Sequence, residues 1–340
     1  VDLSSLSDYL RAQGLSKGEP IIATPLAGGQ SNPTFKLEVG AQRYVLRKQP
    51  EGTLLPGAHA VDREHRVMAA LQDAAVPVPK MYAYCADASV IGTPFYVMEF
   101  VDGRVMVDQS LPGMSPTQRA DIYREMNRVI AALHGVDVAS VGLSDFGKPG
   151  DYFARQIKRW SRQCRESTVL MSEAMTNLMD WLPQHIPPGD ETTLVHGDYR
   201  LDNLVFHPTA PRVIAVLDWE LSTLGHPLAD FSYQGMSWRI PPALWRGIGG
   251  LDLPALGIPS EQEYVAMYAR ATGRDPTAHW DFYLAYNLFR MAAILHGIAQ
   301  RVVDGTATAA NARDMGQKAM PLAELGWQCA LRYHPNTFGN

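Results

Sequence analysis

Cysteine is scarce in this 340-residue chain: Cys85, Cys164 and Cys329 are far apart and odd in number. Three such residues cannot build a disulfide framework or a Cys-x-x-Cys zinc knuckle, so a reducing, cytoplasmic setting is expected. A basic excess is also missing, with 30 Lys and Arg against 35 Asp and Glu and a net charge of −5. Nucleic acid is therefore not an expected partner, because neutralising a phosphate backbone takes surplus cations. No stretch reaches the roughly 18 uninterrupted apolar residues of a bilayer crossing, and VDLSSLSDYLRAQGL has no basic segment leading into an apolar run. Neither membrane association nor a secretory leader is expected. Internal repeats and low-complexity segments are absent too. What remains, 46% hydrophobic and 19% charged, is the composition of a globular protein with one large or two ordinary cores.

Charge is uneven along the chain. Residues 1–100 carry 9 basic and 10 acidic side chains, residues 101–230 carry 12 and 17, and residues 231–340 carry 9 and 8. Leu3, Leu6 and Leu10 recur at helical spacing behind Asp2, a suitable N-cap. Three strand-like runs follow, IIATPLAGG, TFKLEVG and QRYVLRKQP, then a helix at DREHRVMAALQDA that ends before VPVP. Two further runs, PKMYAYCAD and TPFYVMEFV, read as strands. From Ser115 the pattern is mainly helical, interrupted by LVHGDYRLDNLVF and RVIAVLDWE. A strand-rich first hundred residues and a helix-rich remainder predict two lobes, 1–101 and 102–340, with a cleft between them.

The chemistry concentrates in those two interruptions. His196, Asp198, Arg200 and Asn203 crowd a short polar stretch between apolar flanks, and a second apolar run ends on Asp218. Asp198, Asn203 and Asp218 offer hard oxygen ligands and one spare carboxylate, a set that suits Mg²⁺ bound jointly with substrate phosphates. Kinase catalytic loops follow the same logic, with an Asp that positions the attacking hydroxyl and an Asn and a second Asp that hold metal.

HGDYRLDN followed by LDWE resembles the motif pair of the aminoglycoside phosphotransferase and choline kinase family. That resemblance implies an α+β, bilobal protein-kinase-like fold with a small β-rich N-lobe and a larger helical C-lobe. It also implies an ATP- and Mg²⁺-dependent kinase with an alcohol group as acceptor. LAGGQSNPTF is similar to the family's glycine-containing loop, with Gly28 and Gly29 allowing close backbone approach and Gln30, Ser31 and Asn32 offering donors to phosphate oxygens. YVLRKQP resembles the strand that carries the phosphate-binding cation. Alternation puts Val45 and Arg47 on one face and Leu46 and Lys48 on the other; the resemblance implies Arg47 as that cation, since the family often places Arg there, with Lys48 the alternative. Glu64 is its implied ionic partner. YVMEFVDGR resembles the hinge, where the Glu99 carbonyl and Val101 amide would hold adenine, and Met98, with Val45, would line its pocket. Within this pattern Asp198 is the catalytic carboxylate, Arg200 a γ-phosphate cation, and Asn203 and Asp218 the metal ligands. Asp218-Trp219-Glu220 replaces the protein-kinase DFG, so no phosphorylated activation loop is expected. In GHPLADF, Asp230 is expected to brace the catalytic loop, and His196 and His226 to serve as structural hydrogen-bonding groups.

LPGAHAVDREHRVMAAL and DYFARQIKRW narrow the resemblance to the kinase domain associated with acyl-CoA dehydrogenase family members ten and eleven. The implied acceptor is a small hydroxylated molecule, a hydroxyacyl or coenzyme A thioester, rather than an antibiotic. Phe153, Ile157, Trp160 and Cys164 share one face of a predicted helix whose opposite face carries Arg155, Lys158, Arg159, Arg162 and Arg165, either a solvated face or a site for coenzyme A phosphates. Competing readings are an aminoglycoside or other metabolite kinase, a metal-dependent phosphohydrolase using His196, Asp198, Asp218 and His226, and a pseudokinase scaffold. No oligomeric state follows from the sequence.

Overall fold

A computed structural model describes residues 1–27, 31–52, 54 and 59–335. In chain order the elements begin with α1 (Leu3–Ala12), β1 (Ile21–Pro25), β2 (Thr34–Val39), β3 (Gln42–Lys48), α2 (Val61–Ala70), β4 (Met81–Cys85) and β5 (Phe95–Glu99). They continue with α3 (Pro116–His134), α4 (Tyr152–Glu166), α5 (Glu173–Trp181), β6 (Thr193–Val195), β7 (Leu204–Phe206), β8 (Val213–Val216), β9 (Thr223–Gly225) and α6 (Pro227–Gly235). The last are α7 (Leu253–Leu256), α8 (Glu261–Thr272), α9 (Trp280–Val303), α10 (Ala312–Gln317) and α11 (Ala319–Arg332). The fold is α+β, with a sheet-bearing N-terminal region and a helical C-terminal part.

Two compact units emerge. The first comprises Val1–Val105, Val136–Ser144 and Asp202–Ser222, and the second Met106–Gly135, Asp145–Leu201 and the chain from Thr223. The contiguous ranges read from sequence do not anticipate that the β7–β8 hairpin groups with the first unit.

In the first unit β1 to β5 form an antiparallel sheet in the order β1-β2-β3-β5-β4. Period-two alternation sorts its side chains onto two faces. Tyr44, Leu46, Phe95 and Val97 join Leu6 and Leu10 of α1 in one apolar core. Asp2 caps that helix by accepting from Ser4 and Ser5 N–H, while Leu3 stays exposed. The intervening residues Val45, Arg47, Tyr96 and Met98 occupy the other face, where α2 packs against β4 and β5. β7 and β8 pair antiparallel as a separate hairpin, and Arg104 bridges to Phe206.

In the second unit α9 is apolar over most of its circumference and buried at all positions from Trp280 to His296 except Asp281 and Ile294, as befits a central helix, with α4, α6, α10 and α11 packed on it. Ser115 and Gln118 form a capping box at the start of α3, with Pro116 in its first turn. α4 buries Phe153, Ile157, Ser161 and Cys164. Trp160 is only half-buried, with the Arg159 guanidinium 5.1 Å from its ring, so the apolar stripe is narrower than its spacing suggests. No described helix is long and apolar enough to cross a membrane.

Candidate active site

The first unit assembles a buried ion-pair cluster around β3. Arg47 Nε lies 2.9 Å from Glu64 Oε2, with side chains only 11% and 1% exposed. Its Nη2 also approaches Asp218 Oδ1 at 3.4 Å and Glu220 Oε2 at 3.7 Å. Glu64 is held further by Tyr96, whose hydroxyl donates at 2.9 Å, and by Asn32, whose amide donates at 2.7 Å. Burial raises the Glu64 carboxyl above its ordinary value against the pull of Arg47. For Arg47, burial alone would lower the guanidinium, but Glu64, Tyr96, Asp218 and Glu220 together raise it. Lys48 points to the opposite side of the strand and pairs with Glu51 at 2.9 Å. By position Arg47 sits among Glu64, Asp218 and Glu220, while Lys48 lies on the other face of the strand.

Asn203 and Asp218 come together because the hairpin closes between them. Leu204 stands opposite Val216, and Leu217 N–H donates to the Asn203 carbonyl at 2.8 Å. Asp218 has φ +62°, a left-handed conformation uncommon for L-residues, though Asp tolerates it better than most. Hard oxygen donors held at neighbouring positions fit a Mg²⁺ that takes its remaining ligands from phosphates and water. Glu220, for which the sequence reading had no role, lies beside them. Burial first, and then the Asp218 charge, push its carboxyl up to about 7, while Arg47 opposes the shift.

Gly28, Gly29 and Gln30 lie outside the described residues. Ser31 donates to Glu220 Oε1 at 3.1 Å. Asn32, expected as a phosphate donor, is fully buried, with its amide on Glu64 and its side-chain oxygen 3.1 Å from His59 Nδ1. Its side chain braces the ion pair, because a buried amide must spend its donors internally. Val45 and Met98 are opposite one another in the ladder and both buried. Glu99 ends β5, its N–H donating to the Lys80 carbonyl, and Val101 follows two residues later.

The second unit holds the loop that carries Asp198 and Arg200. Asp230, at the start of α6, accepts from the His196 and Gly197 amides, both at 2.9 Å, and from His134 Nε2 at 2.9 Å, while His134 Nδ1 meets the Tyr268 hydroxyl at 2.7 Å. Burial would raise the Asp230 carboxyl, but the hydrogen bond and charge of His134, with the loop's own groups, hold it below its usual value. Arg200 Nε is 3.6 Å from Asp198 Oδ1, and the Tyr233 hydroxyl donates to the same oxygen at 2.6 Å. Arg290 donates to the Gly197 carbonyl at 3.1 Å. Tyr233 and Arg290 lie 35 and 92 residues beyond Asp198 and belong to no motif quoted from the sequence.

Both histidines considered as metal ligands are committed to backbone amides. His196 Nδ1 accepts from Asp198 N–H at 3.1 Å, and His226 Nδ1 accepts from Leu228 N–H as the N-cap of α6. Burial pushes the His226 imidazole down to about 4, keeping it the neutral acceptor that a helix N-terminus favours. Among the described residues no group of three or more His, Cys, Asp or Glu is placed to hold a metal. The aromatics after residue 231 are mostly core: Phe231 stacks on Tyr264 and Tyr268, and Phe153 packs on Phe282, Tyr283 and Tyr286.

Comparison with known proteins agrees with this architecture. Acyl-CoA dehydrogenase family member 10 of Mus musculus is 45% identical over 331 residues, 96% of this chain and 31% of the relative. Family member 11 of Rattus norvegicus is 42% identical over 338 residues, 97% and 43% respectively. The chain thus spans about a third to two-fifths of these relatives. A solved Ralstonia eutropha protein, designated a candidate aminoglycoside phosphotransferase, is 56% identical with a TM-score of 0.90, covering 98% of this chain and 99% of that one. The aminoglycoside phosphotransferase APH(4)-Ia, solved with AMP-PNP and hygromycin B, shares the fold at 17% identity and a TM-score of 0.62, with 96% and 98% covered. The pattern of one enzyme family matches residues 22–297, and on that match the chain belongs to the phosphotransferase enzyme family.

Proposed function

We propose that the chain is an ATP- and Mg²⁺-dependent kinase that phosphorylates a hydroxyl of a small acyl molecule, a free hydroxy acid or its coenzyme A thioester. The observation that carries the nucleotide half of this reading is Arg47, a buried cation bridging Glu64 and Asp218. Bound Mg·ATP supplies the transferable phosphoryl group and a cation that offsets its charge. The chain's own part is positioning and electrostatics: Arg47, fixed by Glu64, holds α- and β-phosphate oxygens, and Asn203 and Asp218 hold the metal. Arg200 neutralises equatorial charge as it builds up. Asp198 orients the acceptor hydroxyl and takes its proton late.

The acceptor half rests on charge and on resemblance to the relatives of the acyl-CoA dehydrogenase families. A polycationic acceptor calls for carboxylates around the transfer site, yet residues 231–340 carry 8 acidic and 9 basic side chains, and the charged neighbours of Asp198 include Arg200 and Arg290. That balance favours a neutral or anionic acceptor. The test is ADP release by the chain with Mg·ATP against a panel of hydroxy acids, hydroxyacyl-CoA thioesters and aminoglycosides. Turnover with the acyl compounds and none with kanamycin is expected; efficient phosphorylation of an aminoglycoside refutes the acceptor assignment. Phosphate release without nucleotide would instead favour a phosphohydrolase, and ATP binding without any turnover a scaffold.

A further inference from the structure

Asp198 follows a glycine at φ +86°, a backbone that by itself fixes little, and its side chain has two torsions of its own. Several groups remove that freedom. Gly197 N–H is tied to Asp230 and Asp198 N–H to His196, while Arg290 reaches from α9 to the Gly197 carbonyl. The peptides on both sides of Gly197 are therefore pinned, and Asp198's backbone is placed before any ligand arrives. The carboxylate itself is met by Tyr233. At 2.6 Å from Oδ1 this contact is in the range of short hydrogen bonds to ionised acceptors. Burial raises the Tyr233 phenol well above its ordinary value, so it remains a donor throughout the working pH range.

Two further features connect these contacts. Tyr233 lies one turn beyond Asp230 on α6, so a single helix holds both the loop's amides and its carboxylate. The Arg290 guanidinium lies 5.7 Å over the Tyr233 ring, so the cation that pins the Gly197 carbonyl also fixes the phenol. Arg290 is only 8% exposed; burial disfavours its charge, but the neighbouring tyrosines and the Asp198 carboxylate together raise the guanidinium above its ordinary value.

We propose that Tyr233 and Arg290 are positioning residues that set the Asp198 carboxylate in the orientation from which it accepts the acceptor's proton. This rests on the reading of Asp198 given above. In the step they serve, the acceptor oxygen forms the new bond to phosphorus as the bond to the departing ADP oxygen breaks, and the hydroxyl proton passes to Asp198. Neither positioning residue gains or loses a proton. Misplacing a catalytic group by an ångström costs on the order of 100-fold, and Tyr233 controls the torsion on which that placement depends.

The experiment uses the full chain with Tyr233→Phe, which removes one oxygen and keeps the ring beneath Arg290, and with Arg290→Lys and Arg290→Gln. Tyr233→Phe is expected to lower kcat about 10- to 100-fold, with the KM for ATP and the melting temperature unchanged. Arg290→Lys should retain more turnover than Arg290→Gln, since the ammonium can still reach the Gly197 carbonyl. A merely structural role would move the melting temperature and the KM for ATP together with kcat, and that result overturns the proposal. An active parent with an equally active Tyr233→Phe overturns it while leaving the kinase reading intact. A parent that releases no ADP with any acceptor overturns the kinase reading and this inference with it.

Discussion

Replacing Arg47 with Met removes the cation from a buried ion pair of the first unit and leaves Glu64 facing an apolar side chain of similar length. At 2.9 Å the gross attraction between the two charges is about 6 kcal/mol for an effective dielectric near 20. Much of that is offset by the desolvation of both groups, so the pair itself contributes little net stability. Its loss is costly for another reason: the 1%-exposed Glu64 carboxylate stays buried without its cation, which typically costs about 3–5 kcal/mol. Glu64 already has its pKa raised by burial against the pull of Arg47, and losing that pull raises it further. A carboxyl whose folded value exceeds its unfolded one contributes stability at low pH and loses it as pH rises through the folded value. The deficit of Arg47→Met should therefore be largest in neutral and alkaline buffer and shrink on acidification toward the ordinary Glu value of 4.5. Urea unfolding of the parent, Arg47→Met and the double variant Arg47→Met/Glu64→Gln, at several pH values between 5 and 8, measures this. The double variant should recover most of the loss at neutral pH and keep only the pH dependence that Glu220, also released from Arg47, contributes to both variants. A single variant as stable as the parent at pH 7.5, or a deficit that does not change with pH relative to the double variant, refutes the reasoning.

Asp198→Asn should keep the fold and Mg·ATP binding yet lose turnover on the order of 10²- to 10⁴-fold, measured as acceptor-dependent ADP release; near-parental turnover would remove Asp198 from the role of proton acceptor. Asp218→Ala should weaken Mg·ATP binding itself and raise the Mg²⁺ needed for half-maximal activity, and an unchanged Mg²⁺ titration would place the ion elsewhere. Asp230→Ala strips acceptors from two loop amides and a buried imidazole at a cost of about 1–3 kcal/mol for each buried group left unsatisfied, so the melting temperature should fall along with activity. Parental melting in that variant would mean that the loop holds its shape without the brace.

Much of the scaffold is written locally. Strand alternation in YVLRKQP and YVMEFV, the Leu6–Leu10 spacing behind Asp2 and the apolar stripe of α4 each depend on neighbours within a few residues, where periodicity is a direct consequence of backbone geometry. The motifs HGDYRLDN and LDWE are equally local, and they brought Asp198, Asn203 and Asp218 to attention. The partner of Glu64 was only half legible. Alternation separated Arg47 from Lys48, but which face meets Glu64 depends on how α2 packs on the sheet.

The remaining assignments needed the tertiary structure, because they depend on pairings that no spacing encodes. Asn32 reads as a loop donor until Glu64, 32 residues away, takes its amide. Glu220 reads as the last letter of a motif until burial beside Asp218 changes its acidity. Tyr233 and Arg290 resemble any Tyr and Arg on apolar helices, and only the packing of α6 and α9 brings them to the loop that carries Asp198. The sequence by itself thus determined which chemical groups are present and on which face of each local element they sit. The packing decided which buried polar groups satisfy one another, since removing them from water obliges each to find a partner wherever in the chain one is available.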